Sequence, residues 1–408
     1  MTTATIEKPF TVSVSDADLD QLRQRLALTR FPDEVDEVGW EYGAPLTDVR
    51  RLAAYWKDGF DWRKAEAGIN ALPQFTRNLE VEGFGTLNVH YVHKKSEVTE
   101  NAVPLLFIHG WPGHFLEVRK LLPLLTAGKP DQASFHVVAL SLPGFGFSEA
   151  PKKKGFASKQ YAEVANKLML SLGYEDYVVQ GGDWGHYIAG YLSTHYAHTH
   201  VKGWLTNYTN ATPPKFSTSP WLYLTHLITP YTKREKEAWA RSQVFRSKGS
   251  GYSHEQATRP QTLGYSLADS PVGLLAWIYE KLVEWTDGYP WTDDEVLEWV
   301  SVYWFSRAGP GASVRIYKEM TGGFERPAIE GVKWTSIPLG FAYFPKELNR
   351  VPRKWLQTLG NIVFESEHEH GGHFAAHEHP EELADDVKRM FGKGGPAFGV
   401  VPGKNGYA

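Results

Sequence analysis

Residues 177–185, YVVQGGDWG, place an apolar run directly before a turn that holds Asp183 between small residues. The apolar run is typical of a buried strand, and Ile188, Ala189 and Leu192 follow the turn at helical spacing. A reactive side chain on such a sharp strand-to-helix turn is typical of a nucleophile elbow, because larger neighbours would collide there. An aspartate at this position could instead be an ordinary helix cap. The strand, turn and helix together favour Asp183 as a nucleophile.

On either side of this turn, apolar strands and helical patterns alternate along the chain, as they do in proteins with a parallel sheet. Apolar runs end in glycine-rich loops at 105–108 (LLFI, then HGWPG), 137–140 (VVAL, then LPGFGFSEAP) and 177–179 (YVV, then GGDWG). A helical pattern from Tyr161 to Leu172 separates the last two runs. Apolar strands that alternate with helices predict a mostly parallel sheet covered on both faces. The loops after such strands meet at one edge of the sheet, where ligands bind.

The strand rhythm stops between residues 212 and 322. Pro, Trp and Tyr become frequent, and helical patterns replace strands; one of them begins with a capping box, Thr292 to Glu295. Strand-like runs return at 337–342 and 361–364. A helical region between two stretches of one α/β sheet predicts a cap over the site.

The N-terminal residues predict helices followed by a hairpin. Ser15 and Thr47 each precede apolar residues at helical spacing, and both residue types cap helices well. The run 87–91, LNVHY, alternates apolar residues with Asn88 and His90, which is typical of a half-buried strand. The predicted division is therefore an N-terminal segment (1–90), an α/β core (91–211 and 323–400) and a helical cap (212–322).

Composition excludes several classes of function. The chain has 408 residues, 42% of them hydrophobic, which is enough for a large core. Its formal net charge of −4 gives no basic surface for nucleic acid. The absence of cysteine excludes disulfides, thiolate catalysis and Cys-ligated metals, and is compatible with the cytoplasm. No segment approaches 18 uninterrupted apolar residues, so we expect a soluble cytoplasmic protein without a membrane anchor.

A carboxylate nucleophile predicts a different reaction from a serine at the same place. Serine attacks an acyl carbon, whereas aspartate attacks an sp³ carbon and forms an alkyl ester that water then hydrolyses. Epoxides and alkyl halides are therefore the candidate substrates. Ester hydrolysis needs two donors for an oxyanion, and the backbone N–H groups of Trp184 and of Trp111, in HGWPG, are placed to supply them. HGWPG by itself could also be an ordinary Gly–Pro turn.

A histidine cluster between residues 365 and 379 contains the predicted base: His368, His370, His373, His377 and His379. The spacing HFAAH lacks the glutamate of HExxH, so we expect no metal there. After an elbow, the chain order is an acid and then a histidine in a loop beyond the last strand. GGHF fits that loop, which selects His373 and leaves the other four histidines as solvated residues.

The acid of this series is expected where the preceding strand ends. Glu347, in the motif FPKE, is the nearest carboxylate to that point. From the residues alone, a solvated surface glutamate is the simpler interpretation of Glu347. Its position in the chain order is what makes it the candidate partner of the histidine.

Together these motifs resemble the microsomal-type epoxide hydrolases of the α/β-hydrolase superfamily. The resemblance covers nearly the whole chain, through PF (9–10) and RFP (30–32) and then HGWPG, LPGFGFS, GGDWG, FPKE and GGHF. Dehalogenases and serine esterases normally lack that N-terminal segment. The resemblance implies an α/β-hydrolase fold with a mostly parallel sheet, an inserted helical cap and an N-terminal meander. Membrane-bound members carry an N-terminal anchor, which we do not expect here.

The resemblance also implies roles for the matching positions. Asp183 corresponds to the nucleophile, His373 to the base that activates water, and Glu347 to the partner of that histidine. Two cap tyrosines in the family hydrogen-bond the epoxide oxygen, and the contexts GYSH and RIYKE match Tyr252 and Tyr317. Among 20 tyrosines, only the resemblance selects these two. Phenol donors suit an epoxide because opening the ring generates an alkoxide, which must gain a proton.

The predicted reaction joins a small-molecule epoxide and water to give a vicinal diol, without a metal or organic cofactor. A dehalogenase would share the aspartate elbow but release halide, and a ligand-binding member of the fold would show no turnover. Detoxification, catabolism and biosynthesis remain open as roles, as does a monomer or homodimer. Tryptophans of the cap are predicted to build its core and an apolar tunnel for aryl or alkyl epoxides: Trp221, Trp239, Trp277, Trp285, Trp291, Trp299 and Trp304.

Overall fold

The N-terminal part of the chain folds as helices and a hairpin. The computed structural model describes residues 7–127, 131–197, 199–325 and 332–408. Its first elements are β1 (Lys8–Pro9), α1 (Asp16–Ala27), a 3₁₀ turn (Gly39–Tyr42), α2 (Leu46–Asp58), α3 (Trp62–Asn70), β2 (Gln74–Val81) and β3 (Gly85–Lys94). Strands β2 and β3 pair antiparallel, which makes them the predicted hairpin.

The two predicted helix caps of this region have different outcomes. The Ser15 cap is confirmed, because its Oγ accepts the backbone N–H of Asp18 at 3.1 Å. The prediction that Thr47 caps the second helix is wrong, since that helix already begins at Leu46. Pro45 occupies the cap position, where its fixed φ suits the entry into a helix and its missing N–H costs no hydrogen bond.

The predicted strands of the first half of the core are present, and a further strand follows them. The elements are β4 (Val103–Ile108), a 3₁₀ turn (Phe115–Val118), α4 (Leu121–Thr126), β5 (Phe135–Leu140), α5 (Ser158–Ser171), β6 (Tyr177–Gly181), α6 (Trp184–His195) and β7 (Val201–Thr206). The sequence pattern misses β7 because Lys202 and Gly203 interrupt its apolar run. Gly203 is required there, since a Cβ would lie 2.7 Å from the ring of Phe391.

The remaining core elements complete one sheet. They are β8 (Thr335–Tyr343), α14 (Arg353–Leu356), β9 (Gly360–Glu367), α15 (Ala375–Glu378) and α16 (Pro380–Phe391). Within the described residues, nine strands follow the order β1-β2-β3-β5-β4-β6-β7-β8-β9. Neighbouring strands from β5 to β9 are parallel, and the first three strands pair antiparallel. The predicted mostly parallel sheet is confirmed.

Strand β3 is more deeply buried than its alternating pattern predicts. His90 is fully buried, with Nδ1 2.8 Å from Ser141 Oγ and Nε2 3.1 Å from Gln74 Oε1. Burial lowers the pKa of His90 to about 3, so its ring is neutral and can use both nitrogens in these hydrogen bonds. The half-buried interpretation is therefore wrong at His90, because β3 lies inside the sheet between β2 and β5.

The described residues between β7 and β8 contain helices and no strand. These helices are α7 (Pro220–Ile228), α8 (Lys233–Val244) with a π-helical turn (Phe245–Gly249), α9 (Gly251–Thr258), α10 (Pro260–Asp269), α11 (Pro271–Glu284), α12 (Asp293–Trp304) and α13 (Arg315–Thr321). The predicted capping box is confirmed: Thr292 Oγ1 accepts the Glu295 N–H at 3.2 Å, and Glu295 Oε2 accepts the Thr292 N–H at 3.1 Å. Among the described helices, none is both long and apolar enough to cross a lipid bilayer.

Helix α12 joins the inserted helices to the rest of the molecule. Trp56, on α2, donates a hydrogen bond from Nε1 to Ser301 Oγ at 3.1 Å. Arg119 binds both carboxylate oxygens of Glu298, at 2.7 and 3.0 Å. Paired hydrogen bonds of this kind fix orientation as well as distance. The N-terminal part and the core therefore both position α12.

We expect Thr292→Ala to lower the free energy of unfolding by about 1 kcal/mol, because the backbone N–H of Glu295 at the start of α12 loses its acceptor. Thr47→Ala is the matched control, since Thr47 is exposed and caps no helix, and its effect should stay below about 0.5 kcal/mol. Chemical denaturation of both variants measures the difference. Equal losses in the two variants would contradict the prediction.

Candidate active site

Asp183 lies at the turn between β6 and α6 with φ +48° and ψ −124°. A non-glycine residue rarely adopts such angles, and residues that do so cluster at functional sites. Across the described residues of α6, the Asp183 side chain makes no capping hydrogen bond. Its Oδ1 instead accepts the backbone N–H of Trp111 at 2.8 Å. The alternative interpretation of Asp183 as an ordinary helix cap is therefore wrong.

Two glycines allow the loops after β4 and β6 to touch. The strands are parallel neighbours with Ile108 opposite Gly181, so their loops leave the sheet side by side. A Cβ on Gly110 would lie 2.2 Å from Asp183 Oδ1, and one on Gly185 would lie 2.0 Å from the Ile108 carbonyl oxygen. Any larger residue at either position would push the carboxylate away from the loop after β4.

His373 lies in the loop after β9, between two carboxylates. Its Nδ1 is 2.8 Å from Glu347 Oε1, and its Nε2 is 3.7 Å from Asp183 Oδ2. The side chain of Glu347 is 0% exposed, so the interpretation of Glu347 as a solvated surface residue is wrong. Glu347 Oε1 also accepts the backbone N–H of Leu348 at 2.7 Å, which fixes the carboxylate. The structure thus brings Asp183, His373 and Glu347 together in series.

Burial and neighbouring charges set the protonation of this series. Burial alone would lower the pKa of His373, but the charge and hydrogen bond of Glu347, and then the charge of Asp183, raise it to about 9. Burial raises the pKa of Asp183, while the charge of His373 and the backbone N–H groups of Trp111 and Trp184 oppose that rise. A protonated His373 and two backbone donors therefore favour an ionised Asp183.

Residues of the inserted helices hold both loops of the site. The backbone N–H of His373 donates to the carbonyl oxygen of Trp285 at 2.8 Å. On α12, Trp299 donates from Nε1 to the Pro112 carbonyl oxygen at 2.7 Å. Tyr303 donates from its hydroxyl to the next carbonyl oxygen of the same loop at 2.6 Å. The positions of the histidine and of the HGWPG loop thus depend on these helices.

The two predicted tyrosines, Tyr252 on α9 and Tyr317 on α13, lie together above Trp111. Their ring centroids are 5.8 Å apart, and they lie 5.3 and 5.7 Å from the Trp111 ring. Trp184 contacts Tyr317 edge to face at 4.7 Å. Burial raises the pKa of both phenols, and the charge of Asp183 adds to the rise. Both hydroxyls therefore stay protonated at neutral pH and can donate.

The other histidines of the cluster have separate acidic partners: His368 with Asp386 (2.7 Å), His370 with Asp287 (3.8 Å), His377 with Glu295 (3.5 Å) and His379 with Glu382 (3.2 Å). The prediction that these histidines are solvated is right for His370, whose side chain is 79% exposed. It is wrong for His368 and His377, whose side chains are largely buried. The rings of His368 and His377 pack against the core and α12. Within the described residues, no three His, Cys, Asp or Glu side chains meet as metal ligands would.

The sequence does not single out two residues of the site. The ring of Trp285 lies 5.1 Å from those of Tyr252 and His373, but nothing in the sequence distinguishes it from the other cap tryptophans. Glu117 lines a small cavity together with Asp183 and His373. Its signal in the sequence is a single carboxylate in the apolar run FLEV, directly beyond the HGWPG loop.

A larger groove, of about 800 Å³, lies between residues 25–49 and residues 269–276. None of the predicted site residues lines the described walls of this groove. Size alone would therefore select the wrong concavity as the candidate active site.

Comparisons with known proteins identify the family of the chain. The family description "Epoxide hydrolase N terminus" matches residues 7–118, and "alpha/beta hydrolase fold" matches residues 103–273. A putative epoxide hydrolase of Stigmatella aurantiaca is 39% identical over 94% of this chain and 84% of its own length. Epoxide hydrolase 1 of Sus scrofa is 36% identical over 94% of this chain and 88% of its own.

Solved structures give the same result. The epoxide hydrolase of Aspergillus niger superimposes with a TM-score of 0.80 at 36% identity, covering 94% of this chain and 95% of its own. The juvenile hormone epoxide hydrolase of the silkworm Bombyx mori superimposes with a TM-score of 0.83 at 31% identity, covering 94% and 93%. The predicted fold class and family are confirmed. The chain belongs to the epoxide hydrolases of the α/β-hydrolase fold.

Proposed function

We propose that the protein converts an epoxide and water into a vicinal diol through an alkyl ester on Asp183. The observation that carries the proposal is the position of the Asp183 carboxylate, which accepts the Trp111 N–H on one side and faces His373 Nε2 on the other. A carboxylate held in this way can attack an sp³ carbon. The ester carbonyl that results would already lie against a backbone donor.

In the first step, a carboxylate oxygen of Asp183 bonds to one epoxide carbon while the ring C–O bond breaks and its electrons move to the oxygen. Tyr252 and Tyr317 donate hydrogen bonds to that oxygen, and one of the phenols transfers a proton to it. Both phenols keep their protons at neutral pH because their pKa values are raised. A halide would leave as a stable anion without such help, so the phenol pair favours an epoxide over an alkyl halide.

In the second step, His373 takes a proton from water as the water oxygen attacks the ester carbonyl of Asp183. The backbone N–H groups of Trp111 and Trp184 stabilise the oxyanion, and Glu347 stabilises the imidazolium. Collapse releases the diol and leaves His373 protonated, as it is before ester formation; the proton that His373 gives up once the ester has formed restores the tyrosinate through solvent. Ester formation also removes the charge of Asp183, which is one cause of the raised pKa of His373. The histidine therefore loses its proton more readily in the intermediate, where a neutral base is needed.

We further propose that residues 212–322 act as a cap that selects apolar aryl or alkyl epoxides. Support comes from the aromatic rings packed against Tyr252: the ring centroid of Trp285 lies 5.1 Å from that of Tyr252, and Trp111 stacks on it at 5.3 Å. Apolar rings around few polar donors are typical of sites for small apolar ligands. A panel of epoxides, assayed for diol by chiral chromatography, tests both the reaction and this preference.

Single turnover in oxygen-18 water tests the ester. With enzyme in excess, the diol of the first turnover should carry unlabelled oxygen from the Asp183 carboxylate, because water attacks the ester carbonyl and not the epoxide. Asp183→Asn removes the nucleophile and should form no ester. Full label in the first-turnover diol, measured by mass spectrometry, would show direct attack by water.

His373→Gln should form the ester but fail to release it, because no base remains to activate water. The mass of the intact protein should then rise by one substrate. His370→Gln is the matched control from the same cluster, since its side chain is 79% exposed and its acidic partner is Asp287, and it should turn over normally. The assignment of the base is wrong if the control stalls and His373→Gln does not.

Tyr252→Phe and Tyr317→Phe should each slow ester formation by about 10²–10³-fold, because each removes one donor to a charge that develops only in the transition state. Hydrolysis of ester already formed should change little. Tyr265→Phe, at an exposed position of α10, is the matched control. Rapid-quench mass spectrometry resolves the two steps. Slow hydrolysis with normal ester formation in Tyr252→Phe would exclude that residue as the donor.

A further inference from the structure

A small cavity lies beside Asp183, on the side formed by the core loops. It leaves about 20 Å³ for the centre of a water molecule, and one water needs roughly 10–15 Å³. Its lining includes the polar side chains of Asp183, His373, Glu117, Gln180, Asn207 and His109, and both ring nitrogens of His109 are already hydrogen-bonded. The lining residues come from the loops and strands of the sheet, whereas Tyr252 and Tyr317 belong to the inserted helices. The cavity is thus separate from the phenols that face the epoxide.

Glu117 is a carboxyl group of this cavity to which the two chemical steps give no role. It belongs to the 3₁₀ turn after β4, and a Cβ on Gly113 would lie 1.8 Å from its Oε1, so the carboxyl lies directly against the HGWPG loop. Burial raises the pKa of Glu117 to about 8; the charge of His373 opposes the rise and that of Asp183 adds to it. At pH 7 the carboxyl is therefore mostly neutral.

We propose that Glu117 positions the water that hydrolyses the Asp183 ester, acting with His373 from this cavity. The inference rests on the function proposed above. The water donates one hydrogen to His373 Nε2, which takes it as a proton, and the other to a carboxyl oxygen of Glu117. With both hydrogens held, the oxygen lone pair points to the ester carbonyl carbon of Asp183, and the new C–O bond forms there. Glu117 gains and loses no proton in this step.

A neutral carboxyl suits this position better than a charged one. The site already holds the carboxylates of Asp183 and Glu347 around one imidazolium. A third buried negative charge would oppose ionisation of Asp183 before ester formation and oppose the oxyanion after it. The carbonyl oxygen of a protonated Glu117 accepts the hydrogen bond without adding that charge.

Gln180 is the competing ligand for the same water. Its Oε1 is buried and has no hydrogen-bond partner among the described residues, while its Nε2 donates to Asn207 Oδ1 at 2.9 Å. A water bound only to Gln180 would satisfy this oxygen and have a purely structural role. Glu117 is favoured as the chemical ligand because its carboxyl lies against the HGWPG loop, which also carries the Trp111 N–H bound to Asp183. If Glu117 positions the water, variants of Glu117 should be defective in ester hydrolysis. If Gln180 positions it, variants of Gln180 should be defective instead.

The test compares Glu117→Gln with Glu117→Met in single turnover, with ester formation and ester hydrolysis followed separately by rapid-quench mass spectrometry. Glutamine keeps an acceptor oxygen and methionine keeps only the volume. We expect Glu117→Met to form ester at close to the wild-type rate and to hydrolyse it about 10²-fold more slowly, since a misplaced nucleophile costs about that factor. Glu117→Gln should hydrolyse it within about threefold of wild type. If the methionine variant does not fold, Glu117→Ala replaces it.

Two controls define the outcomes. Glu82→Gln removes an exposed carboxylate that binds Lys159 outside the cavity, and it should leave both steps unchanged. Normal hydrolysis in Glu117→Met, equal defects in the Gln and Met variants, or a defect in Gln180→Met alone would each overturn the inference. If the wild-type protein forms neither ester nor diol from any epoxide, the proposed function itself fails, and that result is distinct from these three.

Discussion

The hydrogen bond between the Trp111 backbone N–H and the Asp183 carboxylate is the contact on which the rest of the site depends. It requires the loops after two neighbouring parallel strands to touch, which is possible only where no Cβ intervenes at Gly110 and Gly185. Asp183 also has a positive φ of +48° at the turn between β6 and α6. The strained backbone of Asp183 and the absence of side chains at Gly110 and Gly185 thus hold the carboxylate against the loop after β4.

Several carboxyl groups of this site are buried around one imidazole. Each of them is stabilised in a different way. Glu347 is paired with His373 and bound by a backbone N–H. Asp183 has backbone donors and the imidazolium. Glu117 keeps its proton, because its pKa is raised to about 8. Since a buried charge is tolerated only when it is paired or neutralised, the three arrangements allow an ionised Asp183 to coexist with two other acids.

The inserted helices also hold the loops that form the site. The Trp285 carbonyl oxygen binds the backbone of His373, and Trp299 and Tyr303 bind the HGWPG loop. Helix α9, which presents Tyr252, is joined to α11 by the hydrogen bond from Trp277 Nε1 to Gln256 Oε1 at 2.9 Å. Helix α12 is in turn held by Arg119 of the core and Trp56 of the N-terminal part. The distance between Asp183 and the phenols of Tyr252 and Tyr317 thus depends on how the N-terminal part, the core and the inserted helices pack together.

The sequence by itself determined the mostly parallel sheet, the helical insertion and the candidate residues Asp183 and His373, because each rests on a local pattern of strand, glycine turn and helix. The tertiary structure alone decided that Glu347 is buried against His373, and that Glu117 and Trp285 belong to the site. It also decided that His368, His377 and His90 are packed and not solvated. The physical reason is that burial and pairing join residues far apart in the chain, and only the packing of the strands and helices brings such residues together.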